Sequence, residues 1–336
     1  MTTHHTALTP AHIPDQLSIR VQRSALADTV QRLQHASKSP ATRRAYAGDS
    51  LAFDTWCRSL GYSAMPATPD TVAQYLADNA PRLTVATLRR HLATISKAHQ
   101  VAGLPNPCKT SQVADTVAGI RAKHGKPQDT APGLLADGMR ATLDSLPTDL
   151  AGVRDRALLL VGWCAGLRRS ELAALTWGDI ETDPADSRGR LLLLRRSKTD
   201  QAGAGERVPI ATDSDLSRCP VTALETWRTA LRGAGGADTV APGAPILRQV
   251  NRHGQLGGSM SGQAVAFVIA RRTEQAGLPV RYRGHSLRKG LVQQAGLAGV
   301  SDSAVMATTR HRSVTMLRAY QEQVGLVTKC ASRGLL

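Results

Sequence analysis

A chain of 336 residues, 42% of them hydrophobic, has apolar material for two domains or one large one, and no apolar run approaches the ~20 residues a bilayer-spanning helix needs. Its 42 Lys+Arg against 26 Asp+Glu give a net charge of +16, a balance that favours polyanions, duplex DNA above all. Cys57, Cys108, Cys164, Cys219 and Cys330 are scattered with no CxxC pair, which argues against a disulfide framework or a cysteine zinc site and fits a reduced, cytoplasmic protein.

Residues 1–17 read as a flexible leader without the basic-then-apolar pattern of a secretion signal. Residues 18–125 read as a helical domain. Ser39-Pro40 sets a capping serine before a proline at the first helical position. That helix carries Tyr46, Phe53, Trp56 and Leu60 and stops at Gly61. Thr68-Pro69 opens a helix with Val72, Tyr75 and Leu76 on its apolar side. Thr84 opens another, with Leu88, Leu92 and Ile95 at helical spacing and its end at Gly103. Ser111 opens a fourth, with Val113, Val117 and Ile120; four helices of this length close a small bundle.

Residues 126–133, within "KHGKPQDTAPG", carry Gly, Pro and charge but no apolar period, and read as a linker. Residues 134–336 read as a second domain. "RDRALLLVGWCAG" is apolar on nearly every side, as a buried helix would be. Residues 190–196 and 206–211 read as strands joined by a Gly-rich turn into a hairpin. "PVTALETWRTALRGAGG" puts Val221, Leu224, Trp227 and Leu231 on one helical stripe, residues 233–258 are loop-rich, and helices follow at roughly 261–276, 286–298, 302–309 and 313–325. The expected fold is mainly α, in two domains, with a small antiparallel sheet in the second. Charge is shared between them: residues 1–128 hold 15 basic and 7 acidic residues and the remainder 27 and 19, so each part is +8. Two basic parts are stronger evidence for a nucleic acid than one basic tail.

No Walker loop, HExxH, GxSxG or Rossmann glycine pattern is present, so ATP, zinc and nicotinamide have no evident seat, and no cofactor is expected. What remains is a series of basic residues at helix starts and turns. In "CAGLRRSELAALTW", Gly166 ends one helix and another starts near Arg169, so Arg168 sits at the joint, with Glu171 one turn on to orient a basic neighbour. In "GHSLRKG", His285 and Arg288 share one helical face: the guanidinium fork suits phosphate oxygens and the imidazole exchanges protons near neutrality. Lys198 follows the first hairpin strand, and "RHRSVTMLRAY" places Tyr320 nine residues after His311.

Taken one by one, these residues have ordinary explanations: surface ion pairs, a solvated turn lysine, a packed tyrosine. Together they meet the needs of phosphoryl transfer without a metal. Two arginines and a histidine bind the non-bridging oxygens as negative charge grows. Cations and a proton-accepting histidine activate a tyrosine hydroxyl whose free pKa is about 10. A lysine protonates the leaving oxygen.

This order and spacing resembles the tyrosine recombinase (phage integrase) family, with "AGLRRSEL" similar to its first arginine box, "GHSLRKG" to its His-x-x-Arg box and "RHRSVTMLRAY" to its closing box. Over about residues 35–325 the likeness extends to the Cre-like recombinases, through "GHSLRKGLVQQAGLAGVS", "TLRRHLATISKAHQVAGLPNP" and "SKTD". One departure is His311, where Cre carries tryptophan and most of the family histidine. The resemblance implies a core-binding helical domain and a catalytic domain that clamp DNA between them. It implies that Tyr320 attacks a phosphate to give a 3′-phosphotyrosyl link, that Arg168, Arg288 and His311 stabilise the transition state, that His285 accepts the proton, that Lys198 is the general acid, and that Glu171 orients the site.

For DNA contacts the resemblance points to Arg43, Arg44, Arg89, Arg90 and Lys97 in the first domain and to Gln263 in the second, a residue type able to pair with adenine. It implies double-stranded DNA with an inverted-repeat site as substrate, exchange through a Holliday junction, and a homotetramer on DNA joined through the tail "QEQVGLVTKCASRGLL", in a cytoplasmic, nucleoid-associated protein without membrane contact. Two other readings stay open: a type IB topoisomerase that nicks and reseals one duplex, and a non-enzymatic helix-turn-helix-like DNA-binding protein. Tyr282 is the alternative nucleophile, the only other tyrosine after residue 128.

Overall fold

The structure is a computed structural model that describes residues 16–126, 130–195, 205–322 and residue 324. The chain divides into two compact units, 1–128 and 129–336.

The first unit holds α1 (Gln16–Ala36), α2 (Pro40–Ser59), α3 (Pro69–Asn79), α4 (Val85–Val101) and α5 (Ser111–His124). The starts of α2, α3 and α4 follow from local chemistry: Ser39, Thr68 and Thr84 each accept a hydrogen bond from the backbone N–H three residues on. α5 opens at Ser111 as expected, with Thr110 before it as the cap. Phe53, Val72, Tyr75, Leu76, Leu88, Ile95, Val113 and Ile120 form the core. A buried polar chain crosses it: the Tyr75 hydroxyl lies 2.7 Å from His91 Nδ1, and His91 Nε2 lies 3.0 Å from Asp49 Oδ1. α1 was not anticipated; it begins inside the stretch read as leader, and its Leu26, Val30 and Leu33 are exposed.

The second unit begins with α6 (Ala136–Asp144), also unanticipated, and the buried α7 (Leu150–Cys164), followed by the short α8 (Arg169–Ala174). The hairpin strands are β2 (Arg190–Leu194) and β3 (Glu206–Ile210), antiparallel with Leu192 opposite Val208. A third strand, β1 (Ile180–Thr182), pairs with β2. α9 (Pro220–Gly235) packs on α7 through Leu224, Trp227 and Leu231. Within the stretch read as loop, β4 (Arg248–Val250) and β5 (Leu256–Ser259) form a second, two-stranded sheet. α10 (Gly262–Gln275), α11 (Ser286–Leu297), α12 (Asp302–Thr309) and α13 (Val314–Gln321) complete the unit.

Two devices fix the helices that frame the site. The carboxylate of Asp155 on α7, fully buried, accepts hydrogen bonds from Arg154 and from Arg272 on α10, and Arg154 also reaches the Arg248 carbonyl on β4. The segment before α6 crosses α11 so closely that a Cβ at Gly290 would lie 2.0 Å from the Leu134 carbonyl oxygen. Among the described residues, no helix is long and apolar enough to cross a membrane.

Candidate active site

α7 ends in a turn that only glycine fits well. Gly166 has φ +55, and a Cβ there would meet Thr309 Cγ2 at 2.9 Å. Two residues on, Arg168 is the extended N-cap of α8. Its backbone N–H donates to Glu171 Oε2 at 2.9 Å and its Nη1 to Glu171 Oε1 at 2.5 Å. Glu171 is buried and also accepts from Arg310 Nη2 at 2.7 Å.

The turn into α11 is closed from both sides, since Arg283 N–H donates to Ser286 Oγ and Ser286 N–H to the Arg283 carbonyl. His285 is thereby the N-cap, and Arg288 lies one turn further in, 1% exposed. Arg288 Nη1 donates to the Gly166 carbonyl at 2.7 Å, and Nη2 lies 3.5 Å from His311 Nε2. Burial, together with Arg168 and Arg310 nearby, lowers the Arg288 guanidinium to about 10, which leaves it charged at neutral pH.

His311 follows α12, with its Nδ1 2.7 Å from Thr309 Oγ1. The Thr309 hydroxyl already donates to the Val305 carbonyl at 2.6 Å. It must therefore accept from His311, which assigns the neutral ring its proton on Nδ1 and leaves Nε2 as the acceptor facing Arg288. Burial first, then Arg288 and Arg168, lower His311 to about 4.

Tyr320 ends the series on α13. Leu317 anchors that helix in a cluster with Val292, Ala295 and Val305, against which Tyr320 itself packs. The Tyr320 carbonyl accepts from Gln293 Nε2 at 3.2 Å. The hydroxyl lies 3.4 Å from His285 Nε2, and the ring meets His311 edge-on with centroids 5.8 Å apart. Lys289, buried and bonded to Thr130, sets its ammonium 5.9 Å from the centre of the tyrosine ring. Burial, then Arg288, Arg168 and Lys289, push His285 down to about 4 against the pull of Glu171, so at neutral pH it is an unprotonated acceptor beside a phenol.

The structure thus brings Arg168, Glu171, His285, Arg288, His311 and Tyr320 together within a single chain: Arg168 bonds Glu171, contacts run from Arg288 through His311 and Tyr320 to His285, and the charge of Arg168 acts on Arg288, His285 and His311. Lys198 lies outside the described residues. Thr309, Arg310 and Lys289 belong to the group and escaped the sequence reading. Thr309 could have been found as a hydroxyl two residues before a histidine; nothing in the sequence separates Arg310 from Arg312. Among the described residues, no group of three or more His, Cys, Asp or Glu could hold a metal ion.

Five of the residues expected to contact DNA belong to the first unit and one, Gln263, to the second. Arg44, Arg89 and Lys97 are exposed on α2 and α4, and Arg43 Nη1 donates to the Lys38 carbonyl. Arg90 is engaged with Asp49, donating through Nε and Nη2 at 2.8 Å each. Gln263, exposed at the start of α10, accepts from Arg169 Nη1 at 3.2 Å.

Comparison with known proteins places this geometry in a family. Residues 134–324 match the phage integrase family. An integrase/recombinase xerD homolog of Selenomonas ruminantium is 31% identical over 293 residues, covering 85% of this chain and 83% of that protein. The recombinase cre of Escherichia phage P1 is 24% identical over 285 residues, 79% of each chain. The fold also matches a lambda integrase tetramer bound to a Holliday junction, with TM-score 0.59 and 18% identity over 94% of this chain and 83% of that one. The chain belongs to the phage integrase family, and it is a site-specific tyrosine recombinase.

Proposed function

We propose that the chain breaks and rejoins double-stranded DNA by direct transesterification at Tyr320. The phenolic oxygen attacks the scissile phosphorus in line while its proton passes to neutral His285. A 3′-phosphotyrosyl bond forms, the bond from phosphorus to the 5′ oxygen breaks, and that oxygen leaves as a hydroxyl after taking a proton from Lys198. Arg168 and Arg288 carry the charge that grows on the non-bridging oxygens, the work that a metal does in other phosphoryl transfers, and His311 joins them once the bound phosphate has drawn a proton onto its Nε2. The phosphodiester energy is kept in the tyrosyl link, so ATP is not consumed. A 5′-hydroxyl from a partner duplex reverses the step, and exchange of both strand pairs passes through a Holliday junction.

The observation that carries the reading is the Tyr320 hydroxyl 3.4 Å from unprotonated His285, with Arg288 and Arg168 acting on that imidazole and the His311 ring edge-on to the phenol. The partner is DNA with an inverted-repeat site, gripped by Arg43, Arg44, Arg89, Arg90 and Lys97 of the first unit and by Gln263 of the second. The working assembly is a tetramer on DNA joined through the residues after Tyr320, and the protein acts at the nucleoid. The name of the lambda integrase tetramer on a Holliday junction supports the assembly, and the relatives' names support the reaction.

The test is trapping on nicked DNA fragments from a genomic library. The wild-type protein forms detergent-resistant adducts and Tyr320→Phe forms none, with DNA binding retained. Trapped fragments placed twice on a plasmid yield recombinant circles. Relaxed circles without recombinants would favour a topoisomerase, and an unimpaired Tyr320→Phe would favour a non-enzymatic DNA-binding protein.

A further inference from the structure

Arg310 is the only non-glycine residue with positive φ among the described residues, at φ +58 and ψ +41. Glycine adopts that conformation freely, whereas a β-carbon resists it. The position nonetheless carries one of the largest side chains, and that side chain is turned inward: Arg310 is 8% exposed, while Arg312, on the other side of His311, is exposed. The inward guanidinium meets two carboxylates from different elements. Its Nη2 donates to Glu171 Oε2 at 2.7 Å, and its Nε lies 3.4 Å from Glu206 Oε2 at the start of β3, an ion pair without hydrogen-bond geometry.

Glu171 is the shared carboxylate. Its Oε1 accepts from Arg168 Nη1, and its Oε2 accepts from the Arg168 backbone N–H and from Arg310. With Arg310 absent, Oε2 becomes available to a second guanidinium nitrogen of Arg168. A carboxylate gripping both arms of the fork would withdraw from phosphate the bidentate geometry that makes arginine effective.

We infer that Arg310 is a positioning residue for strand cleavage: by holding Glu171 from behind and tying it to Glu206, it keeps the carboxylate on one arm of Arg168 and leaves the rest of the fork for the scissile phosphate. Arg310 is itself neutralised by two carboxylates, so it does not bind the phosphate. It also joins β3, and with it the β2–β3 hairpin, to the phosphate pocket. The inference rests on the cleavage reading above.

The left-handed φ supplies an informative variant, since Arg310→Gly relieves the backbone while deleting the guanidinium. Cleavage is followed in single turnover on a nicked substrate at saturating protein, with DNA affinity measured separately and wild-type and Tyr320→Phe proteins alongside. Arg310→Gly is expected to bind DNA as the wild type does and to cleave roughly 10- to 100-fold more slowly, the range typical of outer-sphere partners that orient a ligand. Added guanidinium ion should restore part of the rate. A wild-type cleavage rate in Arg310→Gly overturns the inference, as does a loss confined to DNA affinity. Should Arg310→Gly fail to fold, Arg310→Lys replaces it: one ammonium cannot hold both carboxylates, so the same slowing is expected, and a wild-type rate overturns the inference. If the wild-type protein itself forms no adduct, the cleavage reading has failed instead.

Discussion

The Tyr320 hydroxyl and His285 Nε2 lie 3.4 Å apart, and the imidazole that faces the phenol is held unprotonated by its surroundings. Desolvation is the main cause, and Arg288, Arg168 and Lys289 add to it. The same cations that would bind a phosphate therefore keep the proton acceptor empty, so one electrostatic arrangement serves both purposes.

This gives the cleavage rate an acid limb. Protonation of His285 removes the acceptor, so the rate falls as the pH drops towards its value of about 4 in the free protein. A bound phosphodiester offsets the neighbouring cations and moves the limb upward. His285→Ala should be slow throughout and lack the limb. A single-turnover pH profile with the same acid limb in both proteins would contradict the assignment.

Folding stability has a related dependence. His285 and His311 both sit near 4 in the folded chain against 6.5 for the free side chain. Between these values the unfolded chain binds more protons, so their contribution to stability is complete above about pH 6.5 and is lost as the pH falls from there towards 4. The midpoint of thermal unfolding of the second unit should drop over that window, and less steeply in His311→Gln.

Arg288→Lys tests the fork. An ammonium cannot bond the Gly166 carbonyl, contact His311 and hold two phosphate oxygens together. Adduct formation should fall roughly 10²- to 10³-fold, the cost of removing one oxyanion donor elsewhere, with DNA retention on gels nearly unchanged. Equal losses of binding and cleavage would place Arg288 outside the chemistry.

In the first unit, Arg89 and Arg90 adjoin in sequence, and Arg90 carries a structural bond besides its proposed place on DNA. Both side chains are exposed, but Arg90 also donates to buried Asp49 through Nε and Nη2. Arg90→Ala should lower the stability of the helical unit by about 1–3 kcal/mol, since it strips a charged hydrogen-bond partner from a buried carboxylate. Arg89→Ala should leave stability intact and reduce the salt slope of DNA binding by about 1. Denaturant melts and a salt titration separate the two.

What could be read in the sequence was what is local. Ser39, Thr68 and Thr84 announce their helices because a cap and its N–H partner lie three residues apart. Arg168 and Glu171 could be paired for the same reason. α1 differs from the other helices of its unit in that its Leu26, Val30 and Leu33, though at helical spacing, stay exposed and take no part in the core. β1, β4 and β5 are three or four residues long, and their pairing is a tertiary event that short, partly Gly-rich segments do not advertise. The inward turn of Arg310 depends on a single backbone angle and on carboxylates 139 and 104 residues earlier in the chain, Glu171 and Glu206.

The central claim is that Tyr320 is the atom donor to phosphorus, and peptide mapping of the trapped adduct tests it most directly. After nuclease and trypsin digestion, mass spectrometry should find the nucleotide remnant on the peptide from Ala319 to Lys329, at Tyr320. A remnant on the peptide that carries Tyr282, or on any other side chain, would contradict the account.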